Sequence, residues 1–478
     1  MKRRRNTWIK RCLLSFLVLF ALLTIVFAGS WYSTRNAGEK QLAIAMQELE
    51  SREPGWRTFI ETRNQTLAPP DQNSALLAFE IHKSLPLEFH QQCNLIEMPS
   101  AEVHSNHLDP DDWIATLRMK LQPHRETIES LKLFIDTKPN SGFPIELNYD
   151  NPYETILPGR QEMRRIIQLL MFECRLQLAD NHPDEAVRCC RAILGISRAI
   201  GDEPFLISQL LRQSLIATSI INAEKILGCG NPTMGLIELQ EEFTAQLQTN
   251  HMLTGLKGER ESLDLLYQSL DTGRTNLEEL ASNRPAQKNL FSIEYMVFEN
   301  NRKLIPGLRA DQIFIFDKMF AASLTSFPQR YDRFKLIEYD LRNRGGFNQF
   351  LLRILIPVLQ KTDDTEFRIK SRLQCAICGI ACERFRQIHK RWPHSLDEIP
   401  KDLLPSVPLS LVDGEPLKLH RTSTGLVITD LDEDNFDDIL EREHNGTFTG
   451  FRLFDPQLRR QVLKASPPPP LPKENDRN

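Results

Sequence analysis

Beyond residue 32 the sequence has no further apolar run of about 18 residues, which excludes a channel or transporter built from this chain alone. It also lacks a strong charge of either sign: 59 Lys and Arg stand against 63 Asp and Glu, a net charge of −4 over 478 residues. Outside the N-terminus no Lys and Arg stripe with interleaved aromatics occurs, so a nucleic-acid partner has no electrostatic support. Missing too are GxSxG, HExxH, a P-loop and GxGxxG in the strand and helix context their chemistry requires, and there is no second CxxC. These absences remove the motif-defined enzymes. A site assembled from distant residues is untouched by them.

What is present begins with the first thirty residues. Lys2, Arg3, Arg4, Arg5, Lys10 and Arg11 occur with no acid, and Cys12 to Ala28 then carries no charge. With Trp31 and Tyr32 as an interfacial aromatic belt, the run reaches the roughly 20 residues that span a hydrocarbon core. Because Lys and Arg beside a span stay in the cytoplasm, the basic end is expected inside and the rest exported. A cleaved secretory signal, cut after Val26, Phe27 and Ala28, is the competing reading, but the apolar run exceeds the roughly 7 to 15 residues of a signal core. Either way residues 33 onward leave the cytoplasm. The chain is expected to be a single-pass membrane protein with its N-terminus inside and an extracytoplasmic body.

With 41% hydrophobic and 26% charged residues, that body is expected to pack as a globule. Nine cysteines are present. Apart from Cys12 they fall mostly inside helical apolar patterns, which favours buried free thiols over a disulfide framework.

The patterning predicts a mainly α fold: a single N-terminal transmembrane helix, an irregular helical bundle that is weakly tetratricopeptide-like, and a small C-terminal α+β module. Residues 1–11 form the cytoplasmic end, 12–32 the anchor, 33–366 the exported helical body, 367–440 the module, and 441–478 an extension with a disordered Pro-rich tail. Leu42, Ala43, Ala45, Met46 and Leu49 give a stalk helix over Glu39–Leu49, ended by Pro54 and Gly55. Asp71, Asn73 and Ser74 offer caps for the next helix. Asp109 to Asp136 is helical but broken at Pro123, and Asn140 to Gly159 reads as loop. Gln161–Ala179 and Asp184–Ile200 form a helical hairpin punctuated by Asn181, His182 and Pro183, and a third helix carries Leu206 to Ile226. Further helices are expected over Leu256–Leu270, Asp311–Phe327 and Phe334–Leu359, with Gly345 and Gly346 among the breaks. Strands are predicted at Pro416–His420 and Gly425–Thr429. No residue spacing repeats cleanly at a period near 34, so an irregular bundle is preferred to a solenoid.

Glu53-Pro54-Gly55-Trp56-Arg57, Asn73-Ser74-Ala75, Arg391-Trp392-Pro393-His394-Ser395-Leu396 and Gly414-Glu415-Pro416-Leu417 resemble uncharacterised membrane-anchored bacterial proteins of the planctomycete type, a resemblance that implies a bacterial inner (cytoplasmic) membrane with a periplasmic or extracytoplasmic body, and no activity. The module in turn is similar to the C-terminal part of type II secretion major pseudopilins, where a helix leads through an aromatic-Pro-x-Ser-Leu stretch to a small sheet and an acidic loop. That likeness implies a calcium site, with Asp432, Asp437 and Asp438 as ligands and Asp430, Glu433 and Asp434 nearby, since calcium takes six to eight oxygens in a flexible shell. A solvated acidic face explains the same run. The sequence departs from the pattern in having no Asp-Pro before Gly414 and no glycine pair after Asp438, and the N-terminus has no prepilin cleavage site.

Other constellations are read structurally. Cys375, Cys378 and Cys382, with His389 extending the face, could suggest zinc or redox chemistry, but helix packing is preferred. Of Cys189 and Cys190, at most one is expected in the core stripe. His104 and His107 with Asp109, Asp111 and Asp112 are read as a helix start rather than a metal site. Gly258-Glu259-Arg260-Glu261 is read as a solvated or paired helix face. The favoured function is a membrane-anchored, envelope-facing binding or scaffold protein with a possible envelope protein partner. The alternative is an envelope hydrolase or other enzyme built from scattered acids and histidines.

Overall fold

The hairpin expected at residues 161–200 forms in the computed structural model as α7 (Arg160–Ala179) and α8 (Pro183–Ala199). Asn181 makes the turn in the left-handed region at φ 63°. The structure describes residues 2–94, 96, 105–276, 302–343, 350–430 and 450–461.

The chain is mainly helical with a small three-stranded sheet. It starts with α1 (Lys2–Arg52), a helix of 51 residues. Then come α2 (Phe59–Thr66), α3 (Ser74–Ser84), α4 (Leu87–Asn94), α5 (Asp111–Leu121) and α6 (Arg125–Leu131). Of the three candidate caps, Asn73 caps α3, its side chain accepting from the Ala75 and Leu76 N–H groups. Pro123 separates α5 from α6 with a single 3-10 turn. After α7 and α8 follow α9 (Leu206–Cys229), α10 (Leu236–Leu247), α11 (His251–Thr272), α12 (Ile305–Ser323), α13 (Phe327–Asn343) and α14 (Phe350–His389).

The body is stitched by carboxylates that cap helices other than their own. The Glu259 side chain accepts from the first N–H of α9 at Leu206, 3.1 Å, and Glu261 accepts from Ile60 in α2, 2.9 Å. Glu366 accepts from Met252 at the start of α11, 3.0 Å. Each places an acid at the positive end of a helix dipole and satisfies an amide that has no partner within its own helix.

The sheet has the order β1 (Lys418–Arg421), β2 (Gly425–Thr429), β3 (Phe451–Phe454), all antiparallel, with Leu419 opposite Ile428 and Leu426 opposite Leu453. The first two strands stand close to where the sequence put them. The third does not, because four residues following an acidic stretch carry too little pattern to register, and they fall in the segment expected to be an extension. The boundary expected at residue 367 also lies inside α14, which runs through it unbroken.

One apolar cluster joins the two parts: Cys174, Leu194, Ile220 and Phe243 of the helices share it with Cys378, Phe385, Leu426 and Phe451. Residues 450–461 strap the sheet to the bundle. Arg459 donates to the Gly230 carbonyl just after α9 at 2.7 Å and to Glu383 of α14 at 2.8 Å, and Arg460 donates to the Leu178 carbonyl near the end of α7 at 2.7 Å.

The stretch expected to be a stalk is instead docked. Leu42, Ala45 and Leu49 of α1 are buried against Ala310 and Ile313 of α12. Among the described residues no helix is long and apolar enough to cross a membrane. The side chains of residues 2–18, 20, 21 and 27, which make up much of the Cys12–Ala28 run, lie outside those described.

Candidate anion-binding cleft

α14 ends because Lys390 turns into the left-handed region at φ 58°, its N–H closing on the Arg386 carbonyl at 2.8 Å. The chain then doubles back through Arg391, Trp392, Pro393 and His394. Trp392 is buried, and its indole N–H donates to Asp455 Oδ1 at 2.5 Å, which fixes the segment following β3 against the segment following α14. Between the two opens a cleft of about 620 Å³ lined by Arg386, Lys390, Arg391, His394, Arg421 and Asp455, among others.

Four cations and one carboxylate therefore face the same space. Arg386 is anchored from behind by Glu383, with Nη2 to Oε1 at 2.6 Å and Nε to Oε2 at 3.0 Å, and its guanidinium lies over the Trp392 ring. Burial works to raise the Glu383 carboxyl, but hydrogen bonds from Arg386 and Arg459 hold it below the usual range. Arg391 pairs with Glu398, which the guanidinium and the His394 N–H together hold down at about 2. Arg421 stands 3.6 Å from Asp455. Lys390 differs: its ammonium donates to the Gln387 carbonyl at 2.8 Å and, among the described residues, has no carboxylate within ion-pair distance. The cleft thus has one cation beyond its matched pairs, beside guanidinium forks suited to a carboxylate or phosphate.

The residues singled out from sequence meet varied fates. Asp432, Asp437 and Asp438, the calcium ligands implied by resemblance, lie outside the described residues, as does His104. Cys375, Cys378 and Cys382 are fully buried in the core shared by helices and sheet, and burial pushes all three thiols up, away from the thiolate that zinc or redox chemistry needs. Cys189 and Cys190 are both fully buried, contrary to expectation, because α8 is covered by neighbours on more than one side.

Asp109 is no helix cap. It is buried, with Arg175 at 3.3 Å and Lys225 at 3.8 Å, while Asp111 and Asp112 occupy the exposed first turn of α5. The 258–261 face is buried and paired rather than solvated: Arg260 reaches Glu53 at 2.5 Å between the rings of Trp56 and Phe320. Among the described residues, no group of three or more His, Cys, Asp or Glu side chains is arranged to hold a metal ion. Sequence reasoning missed Arg386, Lys390, Arg421 and Asp455. The density of cations from Arg384 to Arg391 was the available signal.

No protein family, curated protein or solved structure matches the chain.

Proposed function

We propose that this chain is a single-pass, membrane-anchored binding or scaffold protein whose body faces the envelope, and that the cleft beside Trp392 takes an anionic group of its partner. Lys390, among the described residues the one cation beyond the cleft's matched pairs, set beside three guanidinium groups in a cleft of about 620 Å³, carries the reading. The membrane part is supported by the uncharged run from Cys12 to Ala28 behind a basic end, which orients the N-terminus inside. The enzyme alternative draws on Asp455 and His394, the acid and imidazole that share the cleft. Asp455 is already engaged by Trp392 and Arg421, which favours holding over catalysis.

Titration of the full chain with citrate or inorganic phosphate, followed by tryptophan fluorescence, tests this. A saturable change that weakens with salt and disappears in the Lys390→Glu, Arg421→Glu double variant supports the cleft. An identical titration in the double variant refutes it.

A further inference from the structure

The proposed span and the body share one helix. The apolar run ends at Ala28, and the first ion pair with the body forms at Arg35, whose two terminal nitrogens reach the Asp271 oxygens at 2.9 and 3.0 Å. Seven residues of helix cover about 10 Å. Within the next turn Gly38 lies against Gly307 so closely that a Cβ there would stand 2.7 Å from the Gly307 nitrogen. Leu42, Ala45 and Leu49 are then buried against Ala310 and Ile313, and Arg52 reaches Asp317 at 2.6 Å. No linker separates anchor from body.

The same contacts set direction. Positions 38, 42 to 49 and 52 of α1 meet 307, 310 to 313 and 317 of α12, so the two helices run parallel, away from the span. α11 runs the other way, because Glu53 meets Arg260 while Arg35 meets Asp271. The C-terminal end of α11 with Arg274, and the 3-10 turn Arg302–Leu304 ahead of α12, therefore lie on the span side of the body. One turn below Arg35, Trp31 and Tyr32 are exposed on α1, with the Arg35 guanidinium over the Trp31 ring. Exposed aromatics at this position mark the headgroup level.

We propose that the body rests on the bilayer: the end of α11 with Arg274 and the turn ahead of α12 sit at the headgroup layer, at the level marked by Trp31 and Tyr32. This rests on the membrane reading of Cys12–Ala28. Arg35 pairs with Asp271 and Glu39 and Arg274 with Asp150 at 3.8 Å, so the exposed aromatics set the level and the ion-paired, glycine-packed helix supplies the fixed height.

Full-length protein in nanodiscs of phosphatidylcholine and phosphatidylglycerol, some carrying a nitroxide on the headgroup, tests it. A fluorophore is placed on Arg274→Cys or, as the remote control at the far end of α12, on Leu324→Cys, which is exposed. Quenching severalfold stronger at position 274 is expected. A flexible Gly-Ser insertion after Tyr32 should erase the difference while the protein stays in the disc. Equal quenching at the two positions in protein that remains in the disc overturns the resting body but leaves the anchor standing. Protein that elutes free of the discs overturns both.

Discussion

The helices around α1 and the sheet side of the body are held together by different means. Around α1, the helices α11, α12, α13 and the first part of α14 meet through buried charge and close backbone approach. Asp264, 1% exposed, takes Arg309 at 2.9 Å, Arg260 lies between two aromatic rings, and Arg330 reaches Glu366 at 3.0 Å. On the sheet side the shared core is apolar and rich in sulfur, with Cys174, Cys189, Cys190, Cys229, Cys375, Cys378 and Cys382 in one cluster. Paired buried charges add little net stability but penalise every arrangement that separates them. Thiols and aliphatic side chains penalise mispacking less sharply. The contrast assigns register to the helices around α1 and adaptable bulk to the sheet side.

The strongest way to break that comparison is to remove a buried cation. Arg330→Met leaves Asp363 and Glu366 buried without their guanidinium, and urea unfolding should show a loss of about 3–5 kcal/mol. Asp363, already raised to about 6 by burial against the pull of Arg330, answers by taking a proton, so the loss should be larger at pH 8 than at pH 5. A loss no greater than that of an ordinary surface change would dissolve the contrast.

Two glycines sharpen it next. A Cβ on Gly258 would stand 1.9 Å from the Pro204 carbonyl oxygen, which is backbone, whereas on Gly379 it would meet the Phe451 ring at 2.3 Å. Gly258→Ala must move α9 against α11 and is expected to cost about 3 kcal/mol, and Gly379→Ala, where a side chain can swing, about 1 kcal/mol. Melting temperatures in the reverse order would contradict the assignment.

The last test reads a pH slope rather than a fixed loss. Burial raises Glu259 to about 7 and Glu261 to about 8, outweighing the amide hydrogen bonds each accepts. Both hold their proton more tightly folded than unfolded. The stability they contribute is full below the unfolded value of 4.5 and is lost as pH rises through 7 and 8. Each group adds a slope approaching about 1.4 kcal/mol per pH unit within its own window. Glu261→Gln keeps an oxygen for the Ile60 amide and should flatten the curve between pH 5 and 8. An unchanged curve would show that Glu261 is ionised when folded.

Much of the helical frame was legible in the sequence, because an apolar stripe at helical spacing with a cap or proline at its end leaves few alternatives. Asn73, Pro123 and the Asn181 turn are examples. β3 was not, since its four residues pair with a strand more than twenty positions earlier and have no periodicity of their own. Asp109 was misread because a cap and a buried ion-pair partner look alike until Arg175 and Lys225 arrive from other helices. For Arg260 the pairing was foreseen but not the burial, because its aromatic neighbours come from distant segments. The cleft joins residues 386–394, 421 and 455–457, three stretches that only the fold brings together. Its Arg-Trp-Pro-His segment was visible as a motif but not as a wall.

The unbroken α1 has a mechanical consequence. On the proposed membrane reading the helix is a lever: docked along α12 with no hinge, it converts any tilt within the bilayer into rotation of the whole body. The cleft lies toward the Gly230 end of α9, whose 24 residues extend about 36 Å from the crossing with α11. At the average span tilt of about 20°, an arm of that length sweeps roughly 12 Å. Bilayer thickness would then help set where the cleft points.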